Sequence, residues 1–150
     1  MYFIDRNQIE KALTHMEKLL ALYKEEEDWE ADLVHSLALA RLTHVIIESI
    51  IDVGNTMIDG FIMRDPGGYD DIIDIMDDEK VITPEMSDPL KQVIALRRMI
   101  VMEFIDVETS EIVLVLDNSM ETLLAFPTKV RHYLENELGP VSAFLPADDK

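Results

Sequence analysis

One apolar stretch in the first half of the chain does most to determine the fold class. It reads RLTHVIIESIIDVGNTMID, from Arg41 to Asp59, and isoleucine is its commonest residue. Polar side chains interrupt it at spacings of three and four, and we call this set the polar stripe: Arg41, His44, Glu48, Asp52, Asn55 and Asp59. At about 100° per residue, these positions fall within a wedge of roughly 80° on a helix. The stretch therefore predicts a central helix, buried around most of its circumference.

The rest of the chain also has helical periodicity, and strand patterns are nearly absent. Asp5 with Gln8 resembles a capping box, and Thr83 followed by Pro84 is a strong helix start. We predict helices over about 6–24, 30–58, 69–78, 84–107 and 111–138, with Pro127 kinking or splitting the last one. The expected architecture is all-α, an up-down bundle of four to five helices in which residues 1–150 form one domain. The end of the chain, 139–150, should be an extended tail that folds back onto the protein or a partner subunit.

Composition limits the classes of function. The net charge is −18, from 31 acidic and 13 basic residues, which disfavours RNA or any other polyanion as a partner. The absence of cysteine excludes thiolate chemistry and disulfides. No signal peptide opens the sequence and no apolar run approaches the roughly 20 residues of a membrane span, so we expect a cytoplasmic protein with no membrane partner. An apolar fraction of 48% with 9 methionines favours a two-fold homodimer.

The polar stripe has three interpretations: a solvated face, a metal site, or one wall of a composite site. His44, Glu48 and Asp52 could offer metal ligands from one helix, but the Glu-x-x-His pairs of di-iron bundles are missing. A metal-binding bundle thus stays a minor alternative, and we expect no metal and no cofactor. The natural partners of the carboxylates are Arg97 and Arg98, which stand in the otherwise apolar run ALRRMIVMEF. We predict that both arginines pair with the stripe, first with Glu48 and Asp52, near a dimer interface.

Several segments together resemble the HepT-like group of the HEPN superfamily over nearly the whole chain. They are the IIESIIDVGN helix, the P-x-x-Y loop from Pro66 to Tyr69, the DIIDIMDDEKVI segment and the arginine-bearing fourth helix. The opening MYFIDR and the closing ELGPVSAF are similar to a branch of uncharacterised proteins from Bacillus-type bacteria. The resemblance implies metal-independent ribonuclease toxins that dimerise and that a minimal nucleotidyltransferase antitoxin adenylylates.

The motif of that family is an arginine, four residues, a histidine, one residue and a tyrosine. Here Arg97 takes the arginine position, but the histidine position is Met102 and the tyrosine position is Phe104. Arg98 stands where an asparagine often follows the arginine. Methionine cannot transfer a proton and phenylalanine has no hydroxyl group to modify, so the resemblance implies a degenerate motif.

Two functions follow from these observations. The first is a catalytically degenerate HepT-like dimer that acts as a binding or regulatory module. Its binding cleft would be lined by Arg41, His44, Glu48, Asp52, Asn55 and Arg98 beside Arg97. The second is a residual metal-independent ribonuclease toxin that uses Arg97 with the acidic stripe.

Overall fold

The computed structural model describes residues 4–139 of the chain. Its helices are α1 (Arg6–Glu25), α2 (Leu33–Gly60), α3 (Tyr69–Asp78), α4 (Pro84–Arg97) and α5 (Thr109–Leu138). A π-helical segment, Arg98–Met102, follows α4 directly, and no strand occurs between residues 4 and 139. The predicted all-α bundle is confirmed, with five helices. Of the predicted tail, only Gly139 belongs to the described residues.

Local capping explains where the first two helices begin. A carboxylate oxygen of Asp5 accepts a hydrogen bond from the backbone N–H of Gln8 at 3.0 Å, as the capping pattern predicts. Asp32 does the same for the N–H of His35 at 2.8 Å. Because Asp32 caps the helix, α2 begins at Leu33, three residues later than predicted.

The fourth helix departs from the prediction at its C-terminal end. We expected an α-helix to about residue 107, but α4 ends at Arg97 and the chain widens into the π-helical segment. The N–H of Glu103 closes that segment by donating to the carbonyl of Arg98, five residues earlier. The wider turn keeps Met99 and Ile100 in the core, and π-helical turns of this kind often occur at functional sites.

The last helix is continuous. The chain runs from Thr109 to Leu138 without a break at Pro127, whose side chain is buried, so the split that the sequence left open does not occur. Gly139 ends the helix with φ of 81°, in the left-handed region that glycine adopts without strain.

Helix α2 is the centre of the bundle and packs against each of the other four helices. Ile46, Ile50 and Met57 on α2 are fully buried and share the core with Phe126 of α5. Gly54 lets α3 approach closely, because a Cβ atom there would clash with the side chain of Ile72 and press on Met76. Because the other faces of α2 are buried, one face is exposed to solvent, and the polar stripe lies on that face. None of the helices described is long and apolar enough to cross a membrane.

Candidate functional site

The structure brings one arginine to the polar stripe. The Nε–H group of Arg97 donates to Oε2 of Glu48 at 2.7 Å, which joins the end of α4 to the middle of α2. His44, one turn earlier on α2, has its Nε2 atom 3.7 Å from the same oxygen. The carboxylate of Glu48 raises the pKa of Arg97 further above its ordinary value. Arg97, Glu48 and His44 therefore share one partly exposed polar centre.

Tyr69, the first residue of α3, also contacts this polar centre. The guanidinium carbon of Arg97 lies 4.9 Å from the centre of the Tyr69 ring, which is a cation–π distance. The loop before Tyr69 is held to α3 by Asp71. Arg64 donates to the Asp71 carboxylate at 2.8 Å, and the N–H of Gly67 donates to the same oxygen at 2.8 Å. The sequence contained the P-x-x-Y signal, but it did not indicate that Tyr69 would lie on Arg97.

Two shallow depressions flank this centre, and Arg41, Asp52 and Asn55 of the stripe line them. One, of about 410 Å³, lies between α1 and α2 and is lined by Gln8, Arg41, His44, Glu48 and Asp52, among others. The other, of about 310 Å³, is bounded by Asn55, Ile72 and the loop from Pro66 to Tyr69. The predicted cleft residues on α2 thus share one open surface, with charges of both signs.

Arg98 does not belong to this surface, and the prediction that it pairs with the stripe is wrong. Its side chain is 81% exposed, and its Nε–H donates to Glu103 at 3.3 Å, within its own segment. Both arginines have helical backbone angles, and consecutive residues of a helix point about 100° apart, so Arg98 points in a different direction from Arg97.

The motif positions Met102 and Phe104 lie on the surface just beyond Arg97. Their exposed fractions are 67% and 69%, and that of the adjacent Ile105 is 85%. The predicted α-helix to about residue 107 is wrong here, because the π-helical turn ends the α-helical register before Phe104. Met102, Phe104 and Ile105 therefore form an exposed apolar surface beyond Arg97, which we call the motif surface.

A metal site finds no support among residues 4–139, where no group of three histidine or acidic side chains could hold a metal ion. Within this part of the chain, His44 and Glu48 contact each other and Arg97 instead. The minor alternative of a metal-binding bundle therefore has no ligand set in the described structure.

This combination of a five-helix bundle, a stripe on α2 and an arginine at the end of α4 is what the HepT-like resemblance implies. A family model for ribonuclease HepT-like proteins matches residues 9–130. The chain is 49% identical over 144 residues to the candidate RNase YutE of Bacillus subtilis (strain 168). The aligned residues cover 96% of this chain and 99% of YutE. The chain belongs to the ribonuclease HepT-like family.

Solved structures agree with this assignment. YutE from Bacillus subtilis, a cytosolic protein of unknown function, superposes with a TM-score of 0.92 at 49% identity, covering 96% of this chain and 100% of that one. A tri-AMPylated HEPN toxin of Shewanella oneidensis, in complex with its MNT antitoxin, superposes with a TM-score of 0.72. Its identity is 17%, over 83% of this chain and 96% of that one, so this likeness shows a shared fold.

Proposed function

We propose that this chain is a cytoplasmic, dimeric HepT-like binding or regulatory module whose nuclease motif has lost its proton-transfer group. The observation that carries the proposal is the pair of side chains beyond Arg97. Met102 and Phe104 occupy the histidine and tyrosine positions, and both are exposed and apolar. Loss of a general acid–base group typically lowers a rate by about 10² to 10⁴-fold. No hydroxyl group is present at Phe104 for an antitoxin to adenylylate.

The charges around Arg97 support binding rather than efficient RNA cleavage. Glu48 already occupies the Nε–H of Arg97, and Asp52 lies one turn further along the stripe. A phosphate group would have to displace the Glu48 carboxylate and approach a protein of net charge −18. A ligand with both positive and negative groups meets a more complementary surface here than a polyanion does.

Dimerisation through the motif surface fits the same picture. Met102, Phe104 and Ile105 are exposed beside Arg98 and Glu103, so the local charges are mixed. Two copies can bury such a surface without opposing charges of one sign. The test is analytical ultracentrifugation of the wild type and the Phe104→Ser/Ile105→Ser variant. We expect a dimer for the wild type and a monomer for the variant; identical masses would refute this interface.

Incubation with RNA tests the proposed loss of activity. Purified wild-type protein and Arg97→Ala are incubated with single-stranded RNA in the presence of a chelator, and cleavage is followed by gel electrophoresis. Intact RNA with both proteins is the expected result. Cleavage by the wild type that disappears in Arg97→Ala would overturn the proposal.

A residual metal-independent ribonuclease is the second candidate, and one local contact favours it. His44 lies beside the Glu48–Arg97 pair and could transfer protons in place of the residue missing at Met102. The 49% identity to a candidate RNase points the same way. In this case both His44→Gln and Arg97→Ala abolish cleavage, while Arg41→Gln, further from the pair, retains it.

A minimal nucleotidyltransferase is a candidate partner. The Shewanella oneidensis relative was solved with such an antitoxin, but it shares only 17% identity with this chain. Co-expression of this chain with a nucleotidyltransferase encoded beside its gene, followed by intact-mass measurement, is the test. We expect a complex without an added adenylyl group, because Phe104 has no hydroxyl; no complex would exclude this partner.

A further inference from the structure

A second exposed apolar surface lies away from the motif, at the start of α2. Leu33, Val34 and Leu37 have exposed fractions of 72%, 73% and 63%. They occupy positions i, i+1 and i+4 of the helix and so cover a sector of about 100°. Leu39, Leu42 and Ile46, on the opposite side, are buried. We call Leu33, Val34 and Leu37 the α2 patch.

Acidic residues adjoin the α2 patch on its N-terminal side. Residues 24–32 read KEEEDWEAD, which contains six acidic side chains and one lysine. All six are exposed; Glu25 ends α1, and the other five lie in the connection between α1 and α2. The patch is thus an apolar surface next to a concentrated negative charge.

Little of this negative charge is neutralised locally. His35 pairs with Asp32 through Nδ1 at 2.7 Å and with Glu26 through Nε2 at 3.1 Å. The His35 ring therefore bridges Glu26 and Asp32, and these two carboxylates raise its pKa. Among residues 4–139, no ion pair involves the other four acidic residues of the segment: Glu25, Glu27, Asp28 and Glu30.

From this arrangement we infer that the α2 patch docks a basic amphipathic helix of a partner protein. Leucine-like side chains of that helix would cover Leu33, Val34 and Leu37, and its lysines or arginines would face the acidic segment. Helices bind other proteins in this way when their apolar face meets an exposed apolar surface with complementary charge at its rim.

Other occupants are opposed by the same charges. A second copy whose α2 ran parallel to the first would bring its own acidic segment against the first one; an antiparallel copy is tested by sedimentation equilibrium. Anionic lipid head groups and nucleic acid phosphates would be repelled for the same reason. The motif surface differs, since Arg98 and Glu103 provide both signs there.

Isothermal titration calorimetry tests the inference with a defined probe. The probe is a capped peptide of about 18 residues, with leucine on one helical face and lysine on the other, which is long enough to form a helix. The protein variant is Val34→Ser/Leu37→Ser, and the matched control is Ile62→Ser/Leu124→Ser. Ile62 and Leu124 are also exposed, by 74% and 42%, and lie elsewhere on the surface. Circular dichroism checks that both variants are folded.

We expect the patch variant to raise Kd at least roughly tenfold and the control to leave it within about twofold. A peptide with glutamate in place of lysine should not bind. If the patch variant and the control variant bind the lysine peptide equally well, charge alone attracts the peptide. If the glutamate peptide binds as tightly as the lysine peptide, the acidic segment does not contribute to recognition. Either result overturns the inference.

Two further measurements address the other occupants. If the patch variant lowers the mass of the protein in sedimentation equilibrium, the occupant is a second copy and the inference is wrong. Flotation of the wild type with phosphatidylserine vesicles would also overturn it, in favour of a membrane. Arg97→Ala should bind the peptide like the wild type, because the patch contains no cleft residue. The result therefore does not depend on the proposed function.

Discussion

Arg97 and Glu48 lie 49 residues apart in the chain and are joined by a 2.7 Å hydrogen bond between Nε and Oε2. The bond ties the end of α4 to the middle of α2 and fixes the guanidinium group beside the ring of Tyr69. Arg98, the next residue, instead pairs with Glu103 on the surface. Two adjacent arginines thus have different environments, and the difference can be measured.

A double-mutant cycle of Arg97→Ala and Glu48→Ala should give a coupling free energy of about 0.5 to 1 kcal/mol. The pair is partly exposed, with side-chain exposures of 26% and 45%, so solvent screens it. Urea unfolding provides the four free energies. The same cycle for Arg98 and Glu103, exposed by 81% and 52%, is the control and should give nearly zero. If the two cycles gave the same coupling free energy, the claim that Glu48 holds Arg97 in position would be wrong.

Gly54→Ala should lower the free energy of unfolding by about 1 to 3 kcal/mol, because the added methyl group overpacks the contact between α2 and α3. The group would clash with Ile72 and press on Met76, both buried. Gly68→Ala is the matched control, since no atom lies within 4 Å of a Cβ there. It should change stability by less than about 0.5 kcal/mol. Comparable losses in the two variants would mean that the helices are not in close contact at Gly54.

Arg131 on α5 stabilises the contact with α1 in a pH-dependent way. Its guanidinium group donates to Glu17 at 2.7 Å and to Glu10 at 2.8 Å. The hydrogen bond from Arg131 holds the pKa of Glu10 below its ordinary value of 4.5. A lowered pKa in the folded state gives stability that is present above that ordinary value and is lost as the pH falls through the lowered one.

Arg131→Gln should therefore cost about 1 kcal/mol at pH 7 and progressively less as the pH falls below the ordinary pKa of glutamate. Urea unfolding of both proteins between pH 7 and pH 4 measures the difference. Lys129→Gln, an exposed site with no ion pair among residues 4–139, should leave the pH dependence of the wild type unchanged. A difference between Arg131→Gln and wild type that stays constant down to pH 4 would contradict the role assigned to Glu10.

Local signals in the sequence predicted the helices well. Asp5 with Gln8 and Thr83 with Pro84 identified two helix starts, because caps depend on only a few neighbouring residues. The periodicity of the polar stripe also predicted which face of α2 would stay outside the core. Glu48 was correctly expected to pair with Arg97.

Features set by tertiary packing were not predictable in this way. The π-helical turn after Arg97 arises where Met99 and Ile100 meet the core, and no local pattern marks it. It ends the α-helical register before Phe104, whereas we expected an α-helix to about residue 107. The contact of Tyr69 with Arg97 joins the start of α3 to the end of α4, and the sequence alone does not indicate it.

The central claim is that this HepT-like chain keeps its motif arginine and lacks the residue that transfers protons. The variant Met102→His/Phe104→Tyr restores the motif at two exposed positions, where substitution should not disturb the core. Met102→Gln/Phe104→Tyr is its control, because glutamine is polar but does not transfer protons. Cleavage of single-stranded RNA is measured for both variants and the wild type. We expect the histidine variant to cleave faster than the other two by about 10² to 10⁴-fold, and to lose this activity with Arg97→Ala. Arg97-dependent cleavage by the wild type at the rate of the histidine variant would contradict the claim.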